Sequence, residues 1–235
     1  MRGLRESGLG LLLAIMAGPA AAGSFIVVGV DRTAEFDAMT APALRLAESL
    51  VWNAAAGDTV VVRWISHRSY AADQTLVHMA LPAPAALPEV RNRFDARGRR
   101  QRQAAAQAQD QALLRAKAAA LRTLRAQCVG PTPATDIVGF VQAAAEVFSR
   151  DAAPEQARRL VLFTDLEDNR GFRVTPQLDG VAVEVQLLGQ QSDPERASRR
   201  RARWRDWLEA RGAVSVRFLR PALPADAAEA SACSS

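Results

Sequence analysis

The sequence predicts an α/β protein: a doubly wound, mostly parallel six-stranded sheet with helices on both faces. Three observations lead there. Short continuous apolar runs recur, and two of them end in an aspartate, SFIVVGVD and RRLVLFTD. Runs of this length without alternation suit strands buried on both faces. Helix-periodic segments separate most of these runs, as crossover connections between parallel strands require. Hydrophobic residues make up 49% of the 235-residue chain, enough to fill the core of one domain carrying an insertion.

Residues 1–23 read as a secretory signal peptide. Arg2 and Arg5 give a basic start, Leu9 to Ala17 is an apolar run, and Ala20-Ala21-Ala22 offers small residues for cleavage. The expectation is an exported, periplasmic protein, or a cytoplasmic one if this segment is retained. No later segment has the length of a membrane span, so none is expected after signal cleavage.

The elements then follow in order. Residues 24–31 form the first strand, and 37–55 a helix whose Leu44, Ala47, Leu50 and Val51 recur at three- and four-residue steps. Gly57-Asp58 ends that helix and 59–66 (TVVVRWIS) is the second strand. Residues 75–81 (TLVHMAL) make a third strand, antiparallel and at an edge, because the link before it is too short for a crossover. A helix over 136–150, strands at 158–165 and 181–188, a helix over 194–211 and a strand at 214–219 complete the pattern. The implied strand order is 3-2-1-4-5-6.

Residues 88–127 differ in kind. Ala, Arg and Gln dominate, Gly98 is the only glycine, and Leu114, Ala118, Leu121 and Leu124 form an apolar stripe in the second half. Such a long inserted helix either breaks at Gly98 or projects partly into solvent. It carries ten basic residues against Glu89, Asp95 and Asp110, which suits a solvated basic face or an acidic partner surface. Phe94 is its only aromatic residue, so base stacking is not supported and nucleic acid is not the expected partner.

The tail 221–235 is small and polar and reads as disordered. It holds Cys233, whose pairing with Cys128 stays open. Neither these cysteines nor His67 and His78 have the spacing of a zinc site.

Ligands of open parallel sheets collect at the carboxyl ends of the strands. Three polar clusters fall there: Asp31-Arg32-Thr33-Ala34-Glu35 after the first strand, Thr135-Asp136 before the middle helix, and Thr164-Asp165 after the fourth strand. Their carboxylates and hydroxyls are hard oxygen donors suited to magnesium, manganese or calcium. Asp136 is expected to cap the middle helix, and Glu167, Asp168 and Asn169 to form a solvated turn.

At these residues the sequence resembles the von Willebrand factor type A domain. The metal-ion-dependent adhesion site of that family has a DxSxS motif after the first strand, a Thr in a later loop and an Asp after the fourth strand. Asp31, Thr33 and Glu35 occupy the first motif, Thr135 the second and Asp165 the third, over a domain spanning 24–220. Thr33 keeps the hydroxyl of the first serine, whereas Glu35 replaces the second with a longer, charged side chain. Leu166 stands where a glycine often follows the last aspartate.

The resemblance implies a non-enzymatic interaction module. A cation with an open coordination position would take an acidic group of a partner protein, and no small-molecule substrate is evident. Asp31, Thr33 and Thr135 would be direct or near ligands, Asp165 would act through water, and Glu35 would be a substitute ligand. Two other readings remain. One is a metal-free scaffold with the same fold. The other is a metal-dependent phosphate hydrolase or transferase with Asp31 as nucleophile and Arg32 as the phosphate partner.

Overall fold

The computed structural model describes residues 23–221 except 91, 93, 128, 129, 172, 173 and 189–192, and except the side chain of Glu35. The signal segment, nearly all of the tail and both cysteines therefore lie outside the described residues.

Six strands form one sheet: β1 (Ser24–Asp31), β2 (Thr59–Ile65), β3 (Thr75–Ala80), β4 (Ala157–Thr164), β5 (Val181–Leu187) and β6 (Ser215–Leu219). Their order is β3-β2-β1-β4-β5-β6, and only the β2–β3 pair is antiparallel. The predicted fold class and strand order therefore hold. β1 lies at the centre, where the order reverses, and all but the first of its residues are buried.

Four helices cover the two faces: α1 (Asp37–Asn53), α2 (Ala96–Arg125), α3 (Ile137–Asp151) and α4 (Pro194–Glu209). Alternate residues of each central strand feed two cores. Phe25, Val27, Leu160, Leu162, Val183 and Val185 pack with α3 and α4 on one face. Ile26, Val28, Val30, Val161 and Phe163 pack with α1 and the end of α2 on the other. Gly29 lets α3 approach β1: a Cβ there would sit 2.7 Å from the Phe140 ring and 2.9 Å from Ile65 Cδ1.

The long insertion departs from the sequence expectation in two ways. Helix starts only at Ala96, after an irregular stretch through Pro82, Pro84 and Pro88, because Asp95 caps it there by accepting from the Gly98 amide at 2.7 Å. Gly98 sits in that first turn and does not break the helix, so α2 is one rod of about 45 Å at 1.5 Å per residue. Its contact stripe is Leu113, Ala116, Ala120, Leu121 and Leu124. Leu114, expected to pack, is 54% exposed. Leu113 takes its place, since it stands seven and eleven residues before Ala120 and Leu124, on one face at 3.6 residues per turn. Before residue 113 the helix is mostly exposed, so it projects rather than breaks.

β6 is the far edge of the sheet. Val216 and Phe218 lean on the core, while Val214 and Leu219 are exposed. Glu184 on β5 accepts from Arg217 at 2.9 Å.

Candidate functional site

Asp31 ends β1 and is fully buried. Val30 pairs in register with Phe163, so the next residues on the two strands, Asp31 and Thr164, come side by side. Asp31 Oδ2 accepts from the Thr164 hydroxyl at 2.8 Å, and Oδ1 accepts from the Thr33 amide at 3.1 Å. Burial pushes the Asp31 carboxyl up from 3.8 to about 6, and the charge of nearby Asp165 adds to the rise. Hydrogen bonds from Thr164 and from Thr33 oppose it. Among the described residues no basic side chain pairs with Asp31.

Backbone bonds bring the second loop to the first. Residues Thr33 and Thr132 form an isolated bridge, with the Thr132 amide on the Arg32 carbonyl at 2.9 Å and the Ala34 amide on the Thr132 carbonyl at 3.1 Å. Thr33 and Thr135 are both buried as a result. The third loop joins through the Asn169 amide, which donates to the Thr135 carbonyl at 3.1 Å. The Asp136 amide donates to the Ser66 carbonyl at the end of β2, and its carboxylate caps α3 on the Gly139 amide at 2.7 Å, as expected.

Thr33, Thr135 and Asp165 are thus carried by three loops that backbone hydrogen bonds tie together, with Thr33 and Asp165 next to Asp31. Asp165 is half-buried, and its Oδ1 accepts from the Glu167 amide at 2.8 Å. Glu35 belongs to a short 3-10 turn, Ala34–Phe36, and its side chain lies outside the described residues. Arg32 turns away: its guanidinium lies over the Trp64 ring, 5.6 Å from the centroid, and feels Asp73. It is not placed as a partner for a phosphate on Asp31. Asp168 is less solvated than expected for an open turn; burial raises its pKa.

Thr164, part of the expected polar cluster at the end of the fourth strand, serves Asp31 directly through its hydroxyl. Two residues of α4 escaped the sequence reading. Arg200 on α4 donates to the Asp165 carbonyl at 3.0 Å and pairs with Glu167, fixing the loop after β4. Trp204 adds a bond from its indole to the Leu166 carbonyl at 3.2 Å. Leu166 itself has φ of 67°, in the left-handed region, with its side chain buried in the core. The backbone here takes the conformation that glycine adopts at no steric cost.

The donor chemistry fits a divalent cation. A buried carboxylate without a basic partner among the described residues is hydrogen-bonded by Thr164 and Thr33 and lies near a second carboxylate, Asp165, an oxygen-only set suited to hard ions. No group of three or more His, Cys, Asp and Glu side chains assembles among the described residues, so a cation held by these residues would rest on at most two carboxylates together with the threonine hydroxyls.

No protein-family model matches the sequence, and no curated protein is significantly similar to it. Solved structures do resemble its fold. A von Willebrand factor type A protein from Catenulispora acidiphila superposes with a TM-score of 0.53 at 15% identity. That match covers 88% of this chain and 41% of the other. Proximal thread matrix protein 1 from the mussel byssus gives 0.48 at 14% identity, over 89% and 46%. The VWA domain of SpRpn10 gives 0.45 at 10%, over 88% and 93%. This chain therefore spans less than half the length of the first two. With the sheet order and its single antiparallel edge pair, the protein has a von Willebrand factor type A-like fold.

Proposed function

We propose that this protein is a non-enzymatic interaction module that holds a divalent cation (magnesium, manganese or calcium) where β1 and β4 end, and through it takes an acidic group of a partner protein. The observation that carries the reading is Asp31: fully buried, with no basic partner among the described residues, and hydrogen-bonded by the hydroxyl of Thr164 and by Thr33. Asp31, Thr33 and Thr135 would hold the ion, Asp165 would reach it through water, and Glu35 would stand in for the missing serine. A bound ion would supply a Lewis-acidic position open to a carboxylate. The chain's own part is to orient Asp31 through Thr164 and the Thr33 amide, and to shield it from water.

Calorimetric titration of magnesium and manganese into the protein, with Asp31→Ala as control, tests this. Binding in the wild type and its loss in the variant are expected. Glu35→Ser assigns the substituted position: tighter binding means Glu35 obstructs the site, weaker binding means it is a ligand. Absence of heat and of any melting shift at millimolar metal would leave the metal-free scaffold, with Thr33 and Thr164 merely capping Asp31. The basic start, apolar run and small residues at 1–23 support export to the periplasm. Mass spectrometry of native protein would then find an N-terminus near Gly23, and an intact Met1 would refute it.

A further inference from the structure

We propose that the projecting half of α2 is an arm that docks on an anionic lipid surface, at the end of the domain opposite the cation site. The orientation follows from how α2 lies on α1. Arg125 pairs with Glu48 at 2.9 Å, and Lys117 donates to the Trp52 carbonyl at 2.7 Å. The two helices are therefore antiparallel, and the first half of α2 runs on past the end of α1. The chain enters β1 at that same end. The Ser24 amide donates to Asp58 Oδ1 at 2.6 Å, and a Cβ on Gly23 would run into the Gly57 backbone. Asp31 lies at the other end of β1. From Ala112 back to Ala96 the arm reaches about 25 Å at 1.5 Å per residue.

Charge is gathered at the far end of this arm rather than spread along it. Residues 103–112 carry Asp110 as their one charge, whereas Arg97, Arg99, Arg100 and Arg102 fall within the first two turns. A helix that needed only solvation would have charges along its whole exposed length. Between Pro82 and Gln109 the acidic residues are Glu89 and Asp95, against six arginines. Asp95 is held by the Gly98 amide and stands four residues before Arg99, so the attraction falls to the other three arginines of the helix. Arg97, Arg100 and Arg102 are exposed and enter no ion pair among the described residues. No acidic residue stands three or four positions from any of them. Arg100 donates through Nε to the Ala96 carbonyl of its own helix at 3.3 Å, which leaves its charge uncompensated.

Direction and position decide the partner. At about 100° per residue Arg102 points away from Arg97 and Arg100, so no single rigid face meets all three. Mobile headgroups can gather round the end of a rod from every side, and clustered arginines draw anionic lipids. Phe94, 77% exposed just before the helix, offers an apolar ring to the same layer. The other end of the chain points the same way. Residues 1–22, with the apolar run Leu9–Ala17, join the domain at Gly23. On the export reading, a bilayer that holds this run before cleavage faces the arginines. The stretch from Ala17 to Gly23 spans at most about 20 Å when extended, close to the reach of the arm. The tip of α2 therefore meets the headgroups, while the cation site is left to a partner on the far side.

Flotation with vesicles of phosphatidylcholine, with and without phosphatidylglycerol, tests this on the chain from Gly23 onward, which keeps the described fold and lacks the apolar run. Binding is expected on the anionic vesicles alone and should fall as salt is raised. Arg97→Glu, Arg100→Glu and Arg102→Glu together should weaken it about tenfold or more. Arg97→Lys, Arg100→Lys and Arg102→Lys together should keep it, because the attraction is to charge; loss of binding there overturns the proposal. The control Arg170→Glu, Arg196→Glu, Arg199→Glu makes the same change in net charge with exposed residues at the cation-site end, and should have little effect. Weakening by the control as great as by the α2 triple, equal binding to both vesicle types, or binding to neither overturns the proposal. So does tighter binding of a single-stranded oligonucleotide or of a polyglutamate peptide through the same three arginines, which would make a nucleic acid or an acidic protein the partner.

Discussion

Replacing Asp31 by Asn should stabilise the protein in EDTA and abolish its response to magnesium. The carboxyl has an ordinary value of 3.8 and sits near 6 in the fold, chiefly because burial disfavours its charged form. At about 1.4 kcal/mol for each tenfold change, ionised Asp31 costs the metal-free fold about 3 kcal/mol. Asn keeps the shape, accepts from the Thr33 amide and donates to Thr164 Oγ1, and carries no charge. Allowing for imperfect geometry, about 2 kcal/mol should remain, or roughly 4–8 °C in melting temperature for a domain this size. The sign follows from protons. Between pH 3.8 and about 6 the folded state binds more protons than the unfolded one, so stability due to Asp31 falls as pH rises. The gap between variant and wild type should therefore be small at pH 4, open as pH rises, and be complete by about pH 7. Magnesium at a hundred times its Kd adds about 2.7 kcal/mol to the wild type and nothing to the variant, which closes the gap. Paired thermal melts across this pH range, in EDTA and in magnesium, measure both. A variant less stable than wild type in EDTA at pH 8 would refute the claim that Asp31 is ionised there without a compensating positive charge.

Leu166→Ala should lose about 2–4 kcal/mol, because it empties a core site and keeps the left-handed backbone. Leu166→Gly should be about 1 kcal/mol more stable than Leu166→Ala in urea denaturation, the reverse of the usual order. Gly29→Val should destabilise by about 2 kcal/mol or more, through collision with Phe140 and Ile65, and its methyl NMR spectrum should show both residues displaced. Trypsin should cut α2 first between Arg97 and Arg102, where the helix touches little. Equal protection of its two halves would mean that another molecule covers the projecting part.

The strands were legible because each is a short apolar run with a polar end, and buried parallel strands tolerate little else. Every strand boundary falls within one residue of its expected place. The long helix was less legible for two reasons. Pro88 is disfavoured in a helix interior, yet opens a segment whose composition favours helix, and Pro82 and Pro84 stand just before it. In an alanine-rich helix, Leu113 and Leu114 are equally good candidates for the inner face, and only the sheet beneath decides between them. At the site, Asp31, Thr164 and Asp165 could be found as polar ends of apolar runs, and Thr135 as part of the polar loop before the middle helix. Arg200 could not, because it acts on a residue distant in sequence, through helix packing.

The outer edge of β6 has a consequence for how copies of this protein behave at high concentration. Its middle residue is Arg217, and Arg220-Pro221 follows the strand. If two molecules joined antiparallel along this edge in full overlap, each Arg217 would lie beside its own copy. Pro221 would offer no amide to lengthen the ladder. Like charge at the centre and a missing donor at the end make the exposed strand a poor template for itself. Among the described residues no element pairs with the outer edge of β6, and the edge's own side chains keep it from seeding aggregation.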